Sequence, residues 1–291
     1  MTGDGEDPVT AGPRTGEAPV PGGFDTNVDA PTEGSTLVRL YFKSQRAMQL
    51  YSLATSSIFT GFWLGFLSRE QIHAVGEHYF KKERFYRTDE YNTRGLFDWE
   101  KRAVEQHFGG CKRLLVAAAG GGREVIALRK LGFEVDGFEA HPELVAFAND
   151  LLGREGMIPD IRPAPWDHCP PISEKYDGAL VGWGAYMHIR GRQRRIAFLR
   201  ELRQTLKEGA PLLLSFYVRG EKARYHRWVG KFGRATARVL RRETVDTGDC
   251  LLPFYAHFFT QRPLEEELVA GGFEPVAYEL YEYGHAIGRA V

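Results

Sequence analysis

The chain has 291 residues, 43% of them hydrophobic and 26% charged, with a formal net charge of zero. That is ordinary for a soluble globular protein and long enough for one large domain or two small ones. Three widely spaced cysteines (Cys111, Cys169, Cys250) give no disulfide framework, and nine histidines form no HExxH or Cys-paired cluster. A reducing, cytoplasmic setting without structural metal is therefore expected.

The charge is unevenly spread. Residues 1–36 carry seven acids against Arg14 alone and hold few large apolar side chains. Such a segment cannot offset its own ordering entropy, so a disordered acidic tail is expected. It lacks the basic start and apolar run of a signal peptide. Residues 37–108 read as helical and aromatic-rich. Ile72, Val75 and Tyr79 fall at helical spacing, as do Trp99, Ala103, Val104 and Phe108 ahead of a stop at Gly109-Gly110. Residues 47–68 contain no charge and are long enough to span a bilayer. Their Ser, Thr and Gln residues, with Gly61 and Gly65, dilute the run, so a buried helical segment is expected instead of stable insertion.

From Lys112 the pattern changes. "RLLVAAA" reads as a buried strand, Arg123–Leu131 as a helix closed by Gly132, "FEVDGFE" as a second strand and "PELVAFANDLL" as a helix with Pro142 in its first turn. A weak third strand lies within "MIPDIRPAP". "YDGALVGW", the helix "RRIAFLRELRQTL" and the strand "PLLLSFYV" follow. Strands separated by helices imply parallel βαβ units and an open α/β sheet. Arg219–Arg242 then places nine basic residues against Glu221 alone, with Trp228, Phe232, Ala235 and Val239 at helical spacing. It reads as a solvated helix with its apolar stripe on the domain, a clamp for an anionic acceptor, or a helix lying on a membrane surface. No nucleic-acid recognition motif accompanies it. The C-terminal segment reads as a helix and two runs broken at Gly284, a terminal hairpin on the sheet edge.

Gly120, Gly121 and Gly122 sit where the first strand turns into a helix. A dinucleotide would call for GxGxxG, but no third glycine follows Gly120-x-Gly122. A P-loop would require Gly-Lys-Ser/Thr, whereas Arg123-Glu124 stand there. Glu139 ends the second strand, where an acid can take the ribose hydroxyls of an adenosine. A glycine turn with that acid fits an adenosyl ligand lacking a diphosphate, S-adenosylmethionine above all.

From about Glu90 to the C-terminus the chain resembles the class I S-adenosylmethionine-dependent methyltransferases. The likeness is carried by "LLVAAAGGGRE", "VDGFEAHPEL", "YDGALVGWGAYMHI" with "FLRELRQTLKEGAPLLLSF", and "HFFTQRPLEEELVAGGFEPV". It implies a Rossmann-like sheet of about seven strands, ordered 3-2-1-4-5-7-6 with the last antiparallel. It further implies S-adenosylmethionine as cofactor and methyl transfer to an O, N or C nucleophile of a small molecule. The organisation expected is an acidic tail (1–36), an N-terminal helical lid (37–108) and a methyltransferase domain (109–291) with a basic helical insertion at about 219–245.

On this resemblance Ala118, Gly120, Gly122, Glu139, Gly182 and Trp183 would line the cofactor, with Trp166 and Asp167 at the adenine. The family usually has an acid where Val116 stands and a glycine at Ala118. A negative φ would make Ala118 tolerable, and Arg94 or Tyr91 would replace the missing acid. His188 is the candidate base, against the alternative of a structural histidine. Tyr186, His257, Trp63 and Tyr86 are candidates for the acceptor side, Trp63 and Tyr86 within a lid that also holds Tyr79, Phe80, Phe85 and Tyr91. His226 has a weaker claim, and the remaining histidines are expected at the surface. Two other readings compete: a methyltransferase-like binding protein without catalysis, and a membrane-peripheral protein using residues 47–68 and 219–242.

Overall fold

The continuous apolar runs form the buried middle of a sheet. In a computed structural model that describes residues 35–172, 175–220, 223–251 and 253–291, the parallel strands are β1 (Arg113–Ala117), β2 (Glu134–Glu139), β3 (Arg162–Pro163), β4 (Gly178–Val181) and β5 (Pro211–Ser215). Two short strands, β6 (Tyr217–Val218) and β7 (Asp249–Leu251), flank β8 (Tyr255–Phe259) in a second sheet, and β9 (Phe273–Glu279) and β10 (His285–Ala290) close the chain. The large sheet is ordered β3-β2-β1-β4-β5-β10-β9. β10 runs antiparallel to both neighbours, with Ile287 opposite Leu213 of β5 and Ala277 of β9. This is the order expected. β4 and β5 are buried at every position, as parallel strands covered on both faces must be. The expected tail falls almost wholly on residues 1–34, outside the described residues.

Nine helices are described: α1 (Thr36–Phe66), α2 (Arg69–Lys82), α3 (Asp89–Thr93), α4 (Asp98–His107), α5 (Arg123–Lys130), α6 (Pro142–Arg154), α7 (Arg192–Gln204), α8 (Arg224–Val239) and α9 (Gln261–Ala270). Ser68 caps α2 reciprocally with Gln71, satisfying two orphan amides where the chain turns out of α1. Arg190, 1% exposed, donates to the Leu64 carbonyl in the last turn of α1 at 2.9 Å, which ties that helix to the sheet. Arg69 and His73 of α2 reach the Asp167 carboxylate at 3.0 and 3.3 Å. Burial opposes that charge, yet His73 and Arg69 hold the Asp167 carboxyl below its usual range.

Three expectations are corrected. "PLLLSFYV" is not one strand: β10 offers pairing only as far as Ser215, so the chain crosses at Phe216 and β6 joins β8. Residues 47–68 are not a buried segment. Only Ser57, Thr60, Gly61, Leu64 and Gly65 are buried, and Phe59, Phe62, Trp63 and Phe66 stay exposed. The apolar stripe of α8 also lies in another register, packing through Tyr225, His226, Val229, Gly233 and Ala237 while Trp228 and Val239 face outward.

Candidate active site

At the carboxyl ends of β1, β2 and β4 the chain encloses a cavity of about 960 Å³, its open mouth included. Open α/β sheets bind ligands at this edge. The floor is the β1–α5 turn, where Ala118 and Gly120 line the cavity. Ala118 has φ +53°, in the left-handed region, not the negative φ expected. A non-glycine residue there is strained by roughly 1–3 kcal/mol. The turn is tightly sheathed. A Cβ on Gly121 would stand 2.4 Å from the Tyr86 carbonyl oxygen, and one on Gly182 would stand 2.1 Å from that of Ala118. Neither position admits a larger residue.

Glu139, 5% exposed, ends β2 facing the cavity. Its Oε2 accepts the Gly120 N–H at 2.8 Å, and its Oε1 accepts those of Ala140 (2.8 Å) and His141 (2.9 Å). Burial pushes its carboxyl up, and the three amides oppose that shift. Oε2 thus accepts one described bond where two lone pairs are available. Beside it Trp166 packs edge-on to His141 at 4.3 Å and stacks on His73 at 5.4 Å. Trp183 lines the opposite wall, and its buried Nε1 has no hydrogen-bond partner among the described residues.

Phe80 from α2 and Tyr86 line the cavity with His188. The ring of His188 lies 5.8 Å from Phe80 and 5.0 Å from Phe254. Its Nδ1 is 2.8 Å from the Tyr255 carbonyl oxygen, which can only accept, so Nδ1 carries the proton and Nε2 is the free acceptor. Burial pushes this imidazole down to about 4, with the Tyr255 carbonyl opposing.

Of the residues singled out from the sequence, Ala118, Gly120, Glu139, Trp166, Asp167, Trp183, His188 and Tyr86 converge on this cavity. Asp167 does so with its carboxylate already engaged by Arg69 and His73. The others lie elsewhere. Gly122 caps α5, and its missing side chain would face Ala148 and Ile161, behind the cavity. The Arg94 guanidinium stacks 5.1 Å over Phe97, and Tyr91 is buried against Phe85 and Arg123. Tyr186 donates its hydroxyl to Glu267 at 2.8 Å in the core. His257 donates Nδ1–H to Asp249 at 2.7 Å in a buried group that includes Tyr255. Trp63 lies on the outer face of α1. Several histidines are also not at the surface: His141 lines the cavity at 7% exposure, and His226 and His285 are buried.

The fold resembles that of several solved structures. The 1,6-didemethyltoxoflavin N1-methyltransferase of Burkholderia thailandensis, solved with S-adenosylhomocysteine, superposes at TM-score 0.52 and 18% identity, over 78% of this chain and 92% of that one. A sugar N-methyltransferase from a Streptoalloteichus species gives 0.51 at 13% identity, over 71% and 91%. An S-adenosylmethionine-dependent methyltransferase from Clostridium acetobutylicum gives 0.50 at 11%, over 75% and 98%. The chain has the class I methyltransferase fold. No family model matches the sequence, and no curated protein matches it.

Within the class I fold, two features were not singled out as site residues from the sequence. One is the buried group around Arg123, which donates to both oxygens of Glu100 at 2.6 and 2.7 Å and to Glu124 at 2.7 Å. Burial works against its charge, but Glu100 and Glu124 outweigh that and hold the guanidinium well above its ordinary range. Glu124 also accepts the Trp183 N–H at 3.1 Å, placing a carboxylate between the ends of β1 and β4. The signal was present in "GGGRE", two opposite charges directly after the glycines. The other is His141, which follows Glu139 by two residues.

Proposed function

We propose that the protein transfers a methyl group from S-adenosylmethionine to a small-molecule acceptor. The observation that carries this reading is Glu139, held by three amides at the end of β2 with acceptor capacity to spare inside the cavity. In this reading Glu139 takes a ribose hydroxyl, the Gly120 backbone forms the wall, Trp166 flanks the base and Trp183 lines the pocket. Val116 is buried in the core, so it cannot replace the acid the family usually has at that position. The cofactor, when bound, supplies an electrophilic methyl on a sulfonium. The chain's share is to hold the acceptor in line and to keep water out, which Phe80, Tyr86 and His188 support by closing the cavity with aromatic surface. Titration calorimetry with S-adenosylmethionine and S-adenosylhomocysteine tests the reading directly. Glu139→Ala should weaken binding by roughly 1.5–3 kcal/mol, the range for hydrogen bonds to a charged group, with the fold retained. Equal affinity in both proteins would remove the cofactor from this cavity.

His188 is proposed on the acceptor side. An imidazole whose proton affinity burial has lowered to about 4 is a poor base for an alcohol but a good hydrogen-bond acceptor for an amine or hydroxyl awaiting methylation. His188→Ala should lower turnover by about 10²-fold, the scale of a lost positioning contact, while cofactor affinity stays within twofold. Because the imidazole remains neutral well below pH 6, the wild-type rate should hold level from pH 8 to pH 6, above the range where the fold itself weakens, without a limb near the ordinary histidine value of roughly 6.5. A limb there would show that His188 is not the group described. Tight cofactor binding with no transfer to any acceptor in a methyl-label metabolite screen would favour the non-catalytic reading.

A further inference from the structure

Two neighbouring helices carry many cations and no acid, and leave large apolar side chains in water. α1 and α8 are drawn together at Gly61 and Gly65: a Cβ on the first would stand 2.6 Å from the Val229 carbonyl oxygen and one on the second 2.4 Å from that of Gly233. Across residues 36–66 and 223–242 the sequence holds ten Lys and Arg and no Asp or Glu. Opposite the packed face of α1, Tyr41, Met48, Tyr51, Phe59, Phe62 and Phe66 recur at whole-turn intervals, each between 41% and 67% exposed. On α8 the outward positions Arg224, Arg227, Lys231, Arg234 and Arg238 follow one another at three- and four-residue spacing, with Trp228 exposed beside them. The first half of α1, to about residue 52, is exposed on nearly every side. Isolated helical segments of that length are marginal in water, and a contiguous apolar surface of this kind marks a docking face.

No single helix is long and apolar enough to cross a membrane, and α1 turns by 116° into α2. We propose that the α1–α8 face docks on the surface of a bilayer containing anionic lipid. The aromatic stripe would enter the boundary between headgroups and acyl chains, and the arginines of α8 would meet the phosphates. Charge selects this occupant. A second copy seated face to face would bring two acid-free sets of cations together, which repel. The acidic residues 1–34 match the charge but hold too few large apolar side chains to cover the stripe. The proposal does not depend on methyl transfer.

The test is flotation of the full chain with phosphatidylcholine vesicles alone and with vesicles containing 30% phosphatidylserine. The protein should float only with the second, and binding should fall steeply between 50 and 300 mM salt. The Arg224→Gln/Lys231→Gln/Arg238→Gln variant should bind about a hundredfold more weakly, at about fivefold per cation removed. Phe59→Ser/Phe62→Ser should lose quenching of tryptophan by brominated acyl chains while keeping its melting temperature. Failure of the wild-type chain to float overturns the proposal, whether the face is then found covered by a second copy in sedimentation or by residues 1–34 in cross-linking to Lys231. Binding unaffected by the three charge changes, or equal on both vesicles, overturns it as well.

Discussion

Arg123→Ala is expected to destabilise the protein by about 3–5 kcal/mol, the cost of breaking a buried ion pair by removing one partner. The guanidinium is 1% exposed, and its carboxylate partners Glu100 and Glu124 are 2% and 6% exposed, so no water would replace it. It also donates to the Gly95 carbonyl at 3.1 Å and lies 4.0 Å from the centre of the Phe97 ring, so one side chain joins the loop before α4, α4 itself and the glycine turn. Urea denaturation measures the effect, with a drop in melting temperature of roughly 10 °C or more for a chain of this size. Adding Glu100→Gln to Arg123→Ala should recover part of the loss, because a neutral amide costs less to leave buried than a carboxylate. A change below about 1 kcal/mol in Arg123→Ala would show that the three charges are not paired in solution.

Stability should fall steeply in mild acid. Burial pushes His141 and His188 down to about 4 and His226 down to about 3. The unfolded chain takes up these protons near pH 6.5, whereas the folded chain resists them until the pH approaches 4. The unfolded state therefore binds more protons throughout that window. The stabilisation is fully present above about pH 6.5 and is lost as pH falls toward the folded values. Each histidine contributes about 1.4 kcal/mol per pH unit, so three together approach roughly 4 kcal/mol per unit, with His141 and His188 contributing less because both border the open cavity. Against a typical total of about 5–15 kcal/mol, that removes a large share of the stability between pH 6 and pH 4. His226→Phe should reduce the slope by about one proton, since His226 packs 4.6 Å from Phe258 in an apolar setting and its Nδ1 has no hydrogen-bond partner among the described residues. A urea midpoint that stays constant from pH 7 to pH 5 would contradict the neutral, buried state of these imidazoles.

The alternation of apolar runs, helices and turn glycines was enough to derive an open sheet of parallel βαβ units, and the glycine turn with Glu139 was enough to derive a ligand at its edge; the strand order and the places of Trp166 and Trp183 were implied only by the family resemblance. The open sheet and the ligand edge are consequences of chain-local rules. A parallel strand covered on both faces must be apolar throughout, and a βα turn must lie at its carboxyl end. Tertiary structure decided the rest. Whether the buried face of α8 is read from Trp228 or from Tyr225 depends on which side α1 approaches, and that approach is possible only where Gly61 and Gly65 meet the backbone of Val229 and Gly233. The same holds for the charged side chains. Nothing in the sequence marks Arg123, Glu100 and Glu124 as a buried group, and their burial follows from α4 and α5 meeting at the glycine turn. Tyr186 and His257, which looked like acceptor contacts, point into the core because α9 and β7 present Glu267 and Asp249 to them. Periodicity specifies which face of an element is apolar. It carries no information about which buried polar groups will find one another across the fold, because that pairing depends on distances between residues remote in sequence.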